Sequence, residues 1–240
     1  MKNQYFADKR DLVKYDLILE ILETIPRLNS LTSLLMLTED DQTNEGKLKS
    51  FPVGNRRPHL HTFLQGCIEK RSTIRELRGF YKSVGIQYNP YSDEDLFSHE
   101  KRATYFQSVS DDLLNNALVF LDPDIGFEPP SFNKGNRGPE KYILWSDWEK
   151  LALRISGDSI FVVYQHSQND KTKLETDLAF KCRKMARGTN LESIIVVRDR
   201  DVAFLIAGFK SETHKHLMTA LHDYSGLHED LVFGVVGIEP

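Results

Sequence analysis

The stretch ALVFLDPD, residues 117–124, decides the fold of this chain, because an uninterrupted apolar run ends abruptly in two acids. Strands that are covered on both faces are continuously apolar, whereas half-exposed strands alternate between apolar and polar residues. Ala117–Leu121 therefore predicts a strand in the middle of a sheet. Pro123 fixes its own φ and favours an extended Asp122, so the carboxylate is held rigidly where the strand ends.

Other short apolar runs predict further strands, namely Leu34–Leu37, Ile160–Tyr164, Ile194–Val197, Val202–Ala207 and Leu231–Ile238. Apolar residues at helical spacing predict helices over Leu12–Thr24, Thr73–Val84, Lys101–Leu114, a stretch opening at Ser146, Lys171–Ala186 and Glu212–Tyr224. Strands that alternate with helices indicate crossover connections and a mainly parallel sheet. We expect one Rossmann-like α/β domain over residues 1–240, a three-layer sandwich whose last two runs form an antiparallel pair at the edge.

Composition excludes several classes of protein. Hydrophobic residues make up 40% and charged residues 28%, which is typical of a folded domain and not of a disordered chain. Two cysteines without CxxC spacing argue against a disulfide framework or a structural zinc site. No apolar run approaches the roughly 20 residues that cross a bilayer, and the first residues lack an apolar signal core. We therefore expect a soluble cytoplasmic protein without a membrane partner.

Polar side chains follow two of the predicted strands directly. Asp122 and Asp124 follow the first strand, and Gln165 and His166 follow Ile160–Tyr164. Ligands of open parallel sheets bind at the carboxyl ends of the strands, and histidine is the usual proton shuttle near neutral pH. The sequence therefore predicts that Asp122, Asp124 and His166 are catalytic residues at one edge of the sheet.

Three interpretations of the acidic turn remain open. Asp122 accepts a hydrogen bond from a substrate amine in the first. In the second, Asp122, Asp124 and Glu128 bind Mg²⁺ or Mn²⁺ through oxygen ligands, as in a metal-dependent nuclease or phosphoesterase. In the third, the segment is a plain turn, because aspartate, proline and glycine are ordinary turn residues.

Basic residues form two small groups outside this turn. The net charge of −4 means that a nucleic-acid contact requires a local patch. Arg56 and Arg57 provide one such group, and Lys134 and Arg137 provide another in a glycine-containing loop. Either group is a candidate for phosphate contacts to DNA or RNA, although groups this small are more often solvated surface.

Several motifs carry a resemblance to known families. The chain resembles an uncharacterised bacterial family with a YFGD-type start, a strand ending FLDPDxGxE and a VVYQH segment; the matching residues are Tyr5–Asp8, Phe120–Glu128 and Val162–His166. More distantly, it is similar to the large-subunit ribosomal RNA adenine-N6 methyltransferases, which use S-adenosylmethionine. Residues 7–15 stand where that family has AGNHADVLKH, and Leu121–Asp124 stands where it has IDPPYE. The resemblance implies that Asp122 orients the target amine.

The same resemblance implies a cofactor site, with two departures from the family pattern. Lys14, Tyr15 and the loop that contains Thr38 and Asp40 would lie near S-adenosylmethionine. That loop lacks the glycines of the family, which let the backbone approach a cofactor closely. Ile125 also replaces the aromatic residue that would stack on a flipped base. A methyltransferase acting on a nucleobase amine, a metal-dependent nuclease and a non-catalytic binder of a nucleotide or partner are therefore the three hypotheses.

Overall fold

The computed structural model describes residues 1–28, 30–41, 49–130, 132, 138–155, 158–166, 171–200 and 202–238. The strands in these ranges are β1 (Ser30–Leu35), β2 (Tyr88–Tyr91), β3 (Ala117–Asp122), β4 (Gly126–Phe127), β5 (Tyr142–Ile143), β6 (Ile160–His166), β7 (Ser193–Asp199), β8 (Val202–Gly208) and β9 (Leu231–Gly237). The α-helices are α1 (Lys9–Thr24), α2 (Pro58–Lys70), α3 (Leu77–Ser83), α4 (Arg102–Gln107), α5 (Trp145–Ala152), α6 (Lys171–Ala186) and α7 (Ser211–Gly226).

Seven of the described strands form one sheet in the order β2-β1-β3-β6-β8-β7-β9. The first four are parallel to one another, and the pairings of β6 with β8, β8 with β7 and β7 with β9 are antiparallel. A mainly parallel sheet with an antiparallel C-terminal edge is thereby confirmed. The two last runs do not pair with each other, however, because β7 lies between β8 and β9 and bonds to both.

Helices cover both faces of the sheet and form a three-layer Rossmann-like sandwich. On one face α1, α2, α3 and α7 pack against Leu118 and Phe120 of β3. On the other face α4, α5 and α6 pack against Val119 and Leu121. Successive residues of β3 thus enter different cores, which explains why its sequence is continuously apolar.

None of the helices in the described ranges combines the length and the apolar character that crossing a bilayer requires.

The first half of the chain differs most from the sequence prediction. Strand β1 begins at Ser30 instead of Leu34, because Thr32 and Ser33 are buried between neighbouring strands despite their polarity. Neither β2 nor α2 was predicted. The helix expected to open at Ser146 begins at Trp145.

The turn after β3 is tied to β6 by one buried side chain. The Oε1 atom of Gln165 accepts a hydrogen bond from the backbone N–H of Phe127 at 2.9 Å. Its Nε2 atom donates to the carbonyl oxygens of Ile125 at 3.2 Å and His166 at 2.7 Å. These hydrogen bonds satisfy backbone groups that lie beyond the last residue pair of β3 and β6. A side chain of the adjacent strand β6 therefore fixes the path of the chain beyond Asp122.

We predict that Gly126→Ala destabilises the protein by about 2–3 kcal/mol, since a side chain at strained backbone angles costs on the order of 1–3 kcal/mol and the displaced Gln165 loses hydrogen bonds as well. Gly126 has φ +128°, and a Cβ atom there would lie 2.4 Å from Oε1 of Gln165. Urea unfolding at equilibrium measures the free energy of unfolding.

Gly66→Ala is the matched control for this substitution. Gly66 lies inside α2, and a Cβ atom there meets nothing within 4 Å. Alanine is the better helix residue, so this change should leave the stability unaltered or raise it by about 0.5–1 kcal/mol. Equal effects of the two substitutions would contradict the role given to Gln165.

Candidate active site

A cavity of about 280 Å³ lies at the carboxyl ends of β3 and β6, and we refer to it as the Asp122 cavity. The lining residues are Met1, Lys2, Tyr5, Asp8, Arg10, Asp11, Lys14, Asp41, Asp122, Pro123, Asp124, Ile125, Lys141, Tyr164 and His166. The three residues predicted to be catalytic, Asp122, Asp124 and His166, thus lie together around one concave space. Lys14 lines the same cavity as Asp122 and His166.

Asp122 is held by an ion pair inside the protein. Its Oδ2 atom lies 2.9 Å from Nζ of Lys14, which reaches across from α1. The same ammonium lies 2.9 Å from Oδ1 of Asp11, one helical turn away on α1. All three side chains are almost completely buried. Because a buried charge requires a partner, the two carboxylates and the ammonium fix one another's positions.

The surroundings of Lys14 keep its ammonium charged. Burial alone would lower the pKa of Lys14, but the attraction of Asp11 and Asp122 outweighs it and raises that pKa well above its ordinary value. Aromatic rings add to this, since the rings of Tyr164, Tyr15 and Phe120 lie with their centroids 5.1, 5.5 and 5.8 Å from Nζ. Lys14 therefore acts as a permanent positive charge against Asp122.

Asp8 and Asp11 also line the Asp122 cavity, and the pKa values of both are raised. Burial and then repulsion by Asp11 raise the pKa of Asp8 to about 7. Burial also raises the pKa of Asp11, although Lys14 opposes this effect. Asp8 is the N-cap of α1, where its side chain accepts a hydrogen bond from the backbone N–H of Asp11. The Asp122 cavity thus contains an acid that changes its protonation near neutral pH.

Asp124 has a different set of partners from Asp122. Its carboxylate lies 3.1 Å from the amino group of Met1 and 3.6 Å from Nζ of Lys2. The hydroxyl of Thr38 donates a hydrogen bond to it at 3.0 Å. Burial would raise the pKa of Asp124, but the two positive groups and the hydroxyl lower it below the ordinary value. Its negative charge is therefore already balanced by protein groups.

Glu128 lies apart from the two aspartates in its contacts. Its carboxylate accepts a hydrogen bond from the backbone N–H of Trp145 at the start of α5, at 2.9 Å. A group of three histidine, cysteine or acidic side chains able to hold a metal ion is not found among the residues that the structure describes. The proposed metal ligands Asp122, Asp124 and Glu128 are thus each engaged by a different protein group, which gives the metal hypothesis no support.

The N-terminal segment packs against the loop that follows β1. The backbone N–H of Gln4 donates to Asp40 at 3.1 Å, and the hydroxyl of Tyr5 donates to Asp41 at 2.9 Å. A second cavity of about 450 Å³ lies beside this contact. It is lined by Lys2, Thr38, Glu39, Asp40, Asp41, Leu96, Phe97, Ser98, Glu140 and Lys141, and we refer to it as the loop cavity. Lys2, Asp41 and Lys141 belong to both cavities, so the two adjoin.

The residues expected near a cofactor are divided between these spaces. Lys14 lines the Asp122 cavity, whereas Thr38 and Asp40 line the loop cavity. Tyr15 lines neither, because it is buried behind Lys14 in the core between α1 and the sheet.

The basic residues considered for nucleic-acid contacts are engaged in ion pairs where the structure describes them. Arg56 is buried and lies 2.7 Å from Asp230. Arg57 contacts three acids, Asp16, Glu20 and Glu23, at 2.7–3.0 Å. These contacts do not support phosphate binding by the two arginines. Lys134 and Arg137 lie outside the described residues.

Sequence reasoning missed several residues of the Asp122 cavity, above all Asp11, which pairs with Lys14. One signal for them is present in α1. Asp11, Lys14 and Asp16 are charged residues interleaved with the apolar residues of this helix, and the first two stand three positions apart on one face. Charges on a buried face indicate that another element supplies partners, which here is the end of β3.

We predict that Asp8→Asn stabilises the protein at pH 8 by on the order of 2 kcal/mol, because it removes a buried charge while asparagine remains a good N-cap. The folded-state pKa of about 7 exceeds the ordinary value of 3.8, so the folded protein binds the extra proton between these values. Wild-type stability therefore falls as the pH rises through this window, and the variant should lack this part of the slope.

Unfolding midpoints of wild type and Asp8→Asn, measured at several pH values, test this prediction. The two proteins should have nearly equal stability at pH 4, where Asp8 is protonated in the wild type. A stability difference that does not change with pH would contradict the assignment.

Comparison of the chain with models of protein families, with curated proteins and with solved structures finds no significant match. The geometry of the Asp122 cavity and the sequence motifs around it are therefore the features that point to a function.

Proposed function

We propose that this protein is an S-adenosylmethionine-dependent methyltransferase that acts on an amine, with a nucleobase in a nucleic acid as the expected class of substrate. The observation that carries the proposal is the state of Asp122. Its carboxylate stands at the carboxyl end of a covered strand, is held by Lys14 and lines a cavity. Ligands of open α/β sheets bind at this place.

The two oxygens of Asp122 support this role in different ways. Oδ2 contacts Lys14, whereas Oδ1 has no hydrogen-bond partner in the part of the chain that the structure describes. A carboxylate oxygen is an acceptor, so Oδ1 suits the N–H of an amine in the cavity. Lys14 holds the carboxylate at 2.9 Å and prevents it from rotating away, which is the orientation effect that such a transfer needs.

The Asp122 cavity and the adjoining loop cavity together have the space and the charged lining that S-adenosylmethionine would need. Ligand clefts usually measure about 300–1,000 Å³, and the Asp122 cavity of about 280 Å³ accommodates only part of S-adenosylmethionine. The loop cavity provides the remaining space. Glu39, Asp40 and Asp41 offer carboxylates for ribose hydroxyls and for a positive sulfonium. When bound, this cofactor supplies a methyl group on sulfur that an amine nitrogen can accept.

His166 provides a route for the proton that methylation releases. An amine nitrogen that received a methyl group from the cofactor would have to release one proton. His166 lines the same cavity as Asp122, and its ring can accept this proton. Its backbone N–H bonds to Ile125, which fixes the position of the residue beside the acidic turn.

The loop that stands in place of the family's glycine-rich loop is held by contacts of its own. The loop from Met36 to Asp41 is supported by the N-terminal segment, since the N–H of Thr38 bonds to the carbonyl oxygen of Met1 at 2.8 Å. Asp124, which replaces the second proline of the family motif, is neutralised by Lys2 and its other partners. The acid therefore adds little uncompensated charge against a phosphate group.

Calorimetry with S-adenosylmethionine and a radiolabelled methyl-transfer assay on RNA, DNA and nucleosides test the proposal. Wild type should bind the cofactor and transfer the label. Asp122→Asn should bind the cofactor within a fewfold of wild type but transfer at least about 100-fold more slowly. Lys14 will draw the amide oxygen toward itself, so the amide NH₂ faces the cavity and cannot accept a hydrogen bond from an amine.

Asp112→Asn is the matched control, because Asp112 is an exposed acid outside both cavities. This variant should retain binding and transfer. Absence of cofactor binding by wild type at high micromolar concentration would contradict the proposal. Binding without transfer to any amine would instead support the non-catalytic hypothesis.

A further inference from the structure

The two edges of the sheet differ in how well they resist pairing with another chain. At one edge, β2 has only four residues, and its Pro90 lacks a backbone N–H. At the other edge, β9 has seven residues, Leu231–Gly237, with neither proline nor charge. Natural sheets protect exposed edges with prolines, charges or short strands, and β9 has none of these features.

The backbone of β9 presents hydrogen-bonding groups outward in a defined pattern. The N–H of Ile238 donates to the carbonyl of Glu192 at 2.9 Å, which continues the antiparallel register of β9 with β7. Hydrogen-bonded pairs alternate along an antiparallel ladder. The backbone N–H and C=O groups of Val236, Gly234 and Val232 therefore also point toward β7. Phe233, Val235 and Gly237 therefore direct their backbone groups away from the sheet. Water can bond to these groups, and another extended strand can replace that water along the whole row.

The side chains of β9 suit a second copy of the same strand. If two β9 strands run antiparallel about Gly234, Val232 lies opposite Val236 of the other copy, and Phe233 lies opposite Val235. Every cross-strand pair is then apolar, and no like charges meet. Val232 is 52% exposed and Val235 is 44% exposed, although both are apolar residues of a strand that pairs with β7 in the sheet.

The space above Gly234 supports the same arrangement. A groove of about 220 Å³ lies between α6 and β9 and is lined by Leu178, Ala179, Val232 and Val236, among others. A Cβ atom placed on Gly234 meets nothing within 4 Å. Valine side chains that approach from an added strand would find room and apolar contacts there.

We propose that two copies of this chain associate through β9, so that the two sheets continue into each other about a twofold axis at Gly234. A twofold interface requires a surface that is complementary to itself, and the apolar sequence around Gly234 meets this requirement. The partner is a second copy and not an arbitrary peptide, because the match of Val232 with Val236 and of Phe233 with Val235 arises from this sequence. The inference is independent of the proposed enzymatic function.

Light scattering coupled to size-exclusion chromatography tests the association. The wild-type chain of 27.7 kDa should elute with a mass near ~55 kDa at tens of micromolar and dissociate on dilution. Val235→Lys should weaken the dimer at least tenfold, about 1.4 kcal/mol, because lysine on an edge strand opposes pairing. Leu153→Lys is the matched control and should remain dimeric, since Leu153 is 80% exposed, directly follows α5 and does not line the groove beside β9.

A disulfide distinguishes the proposed register from other contacts. Residues at position 234 face each other as a non-hydrogen-bonded pair with Cα atoms about 4.5 Å apart, which a disulfide can bridge. Gly234→Cys should therefore form a covalent dimer under a mild oxidant. Val232→Cys should not, because its two copies lie about 14 Å apart along the strands. Both native cysteines, Cys67 and Cys182, are buried.

Three results would overturn the proposal. They are a monomer at every concentration, a dimer that Val235→Lys leaves intact, and cross-linking of Val232→Cys in preference to Gly234→Cys. Circular dichroism of each variant establishes that it is folded, so that loss of the dimer reports on the interface.

Discussion

Lys14 joins the first turns of α1 to the carboxyl end of β3 through an ion pair that spans 108 residues of sequence. The pair is buried, so the attraction between Lys14 and Asp122 is screened much less than that of a surface ion pair. Removing one member of such a pair leaves the other charge buried without a partner. This typically lowers the free energy of unfolding by about 3–5 kcal/mol. Asp11 increases this dependence because it competes for the same ammonium. The position of Asp122 in the cavity follows from this arrangement. Burial, followed by repulsion from Asp11, raises the pKa of Asp8 beside it.

The turn beyond Asp122 is fixed by a second, independent set of contacts. Gln165 bonds to the backbone on both sides of Gly126, and Asp124 is drawn toward the N-terminal segment by positive groups. The end of β3 thus receives support from α1, from β6 and from the first residues of the chain. A rigid site of this kind places acceptor groups before a ligand arrives, which is the condition for orienting a substrate without a large entropic cost.

Residues with strong local signals could be predicted from the sequence. Ala117–Leu121 is covered on both faces, so its continuous apolar pattern located β3, and with it Asp122 and the edge of the sheet where His166 lies. Strand β1 was misplaced because Ser30, Thr32 and Ser33 are buried by neighbouring strands, a tertiary effect that no local pattern shows. The ion pairs of Arg56 and Arg57 could not be predicted for the same reason, because their acidic partners lie on elements distant in sequence.

The central claim is that Lys14 is a permanently charged partner of Asp122, and side-chain NMR of Lys14 tests it most directly. The account predicts that the Cε and Nζ resonances of Lys14 stay at their charged values when the pH passes 10.5, the ordinary pKa of lysine, and that the ammonium protons exchange slowly. Exposed lysines in the same sample serve as the internal reference. A Lys14 resonance that titrates together with them would contradict the buried ion pair and the placement of Asp122 that depends on it.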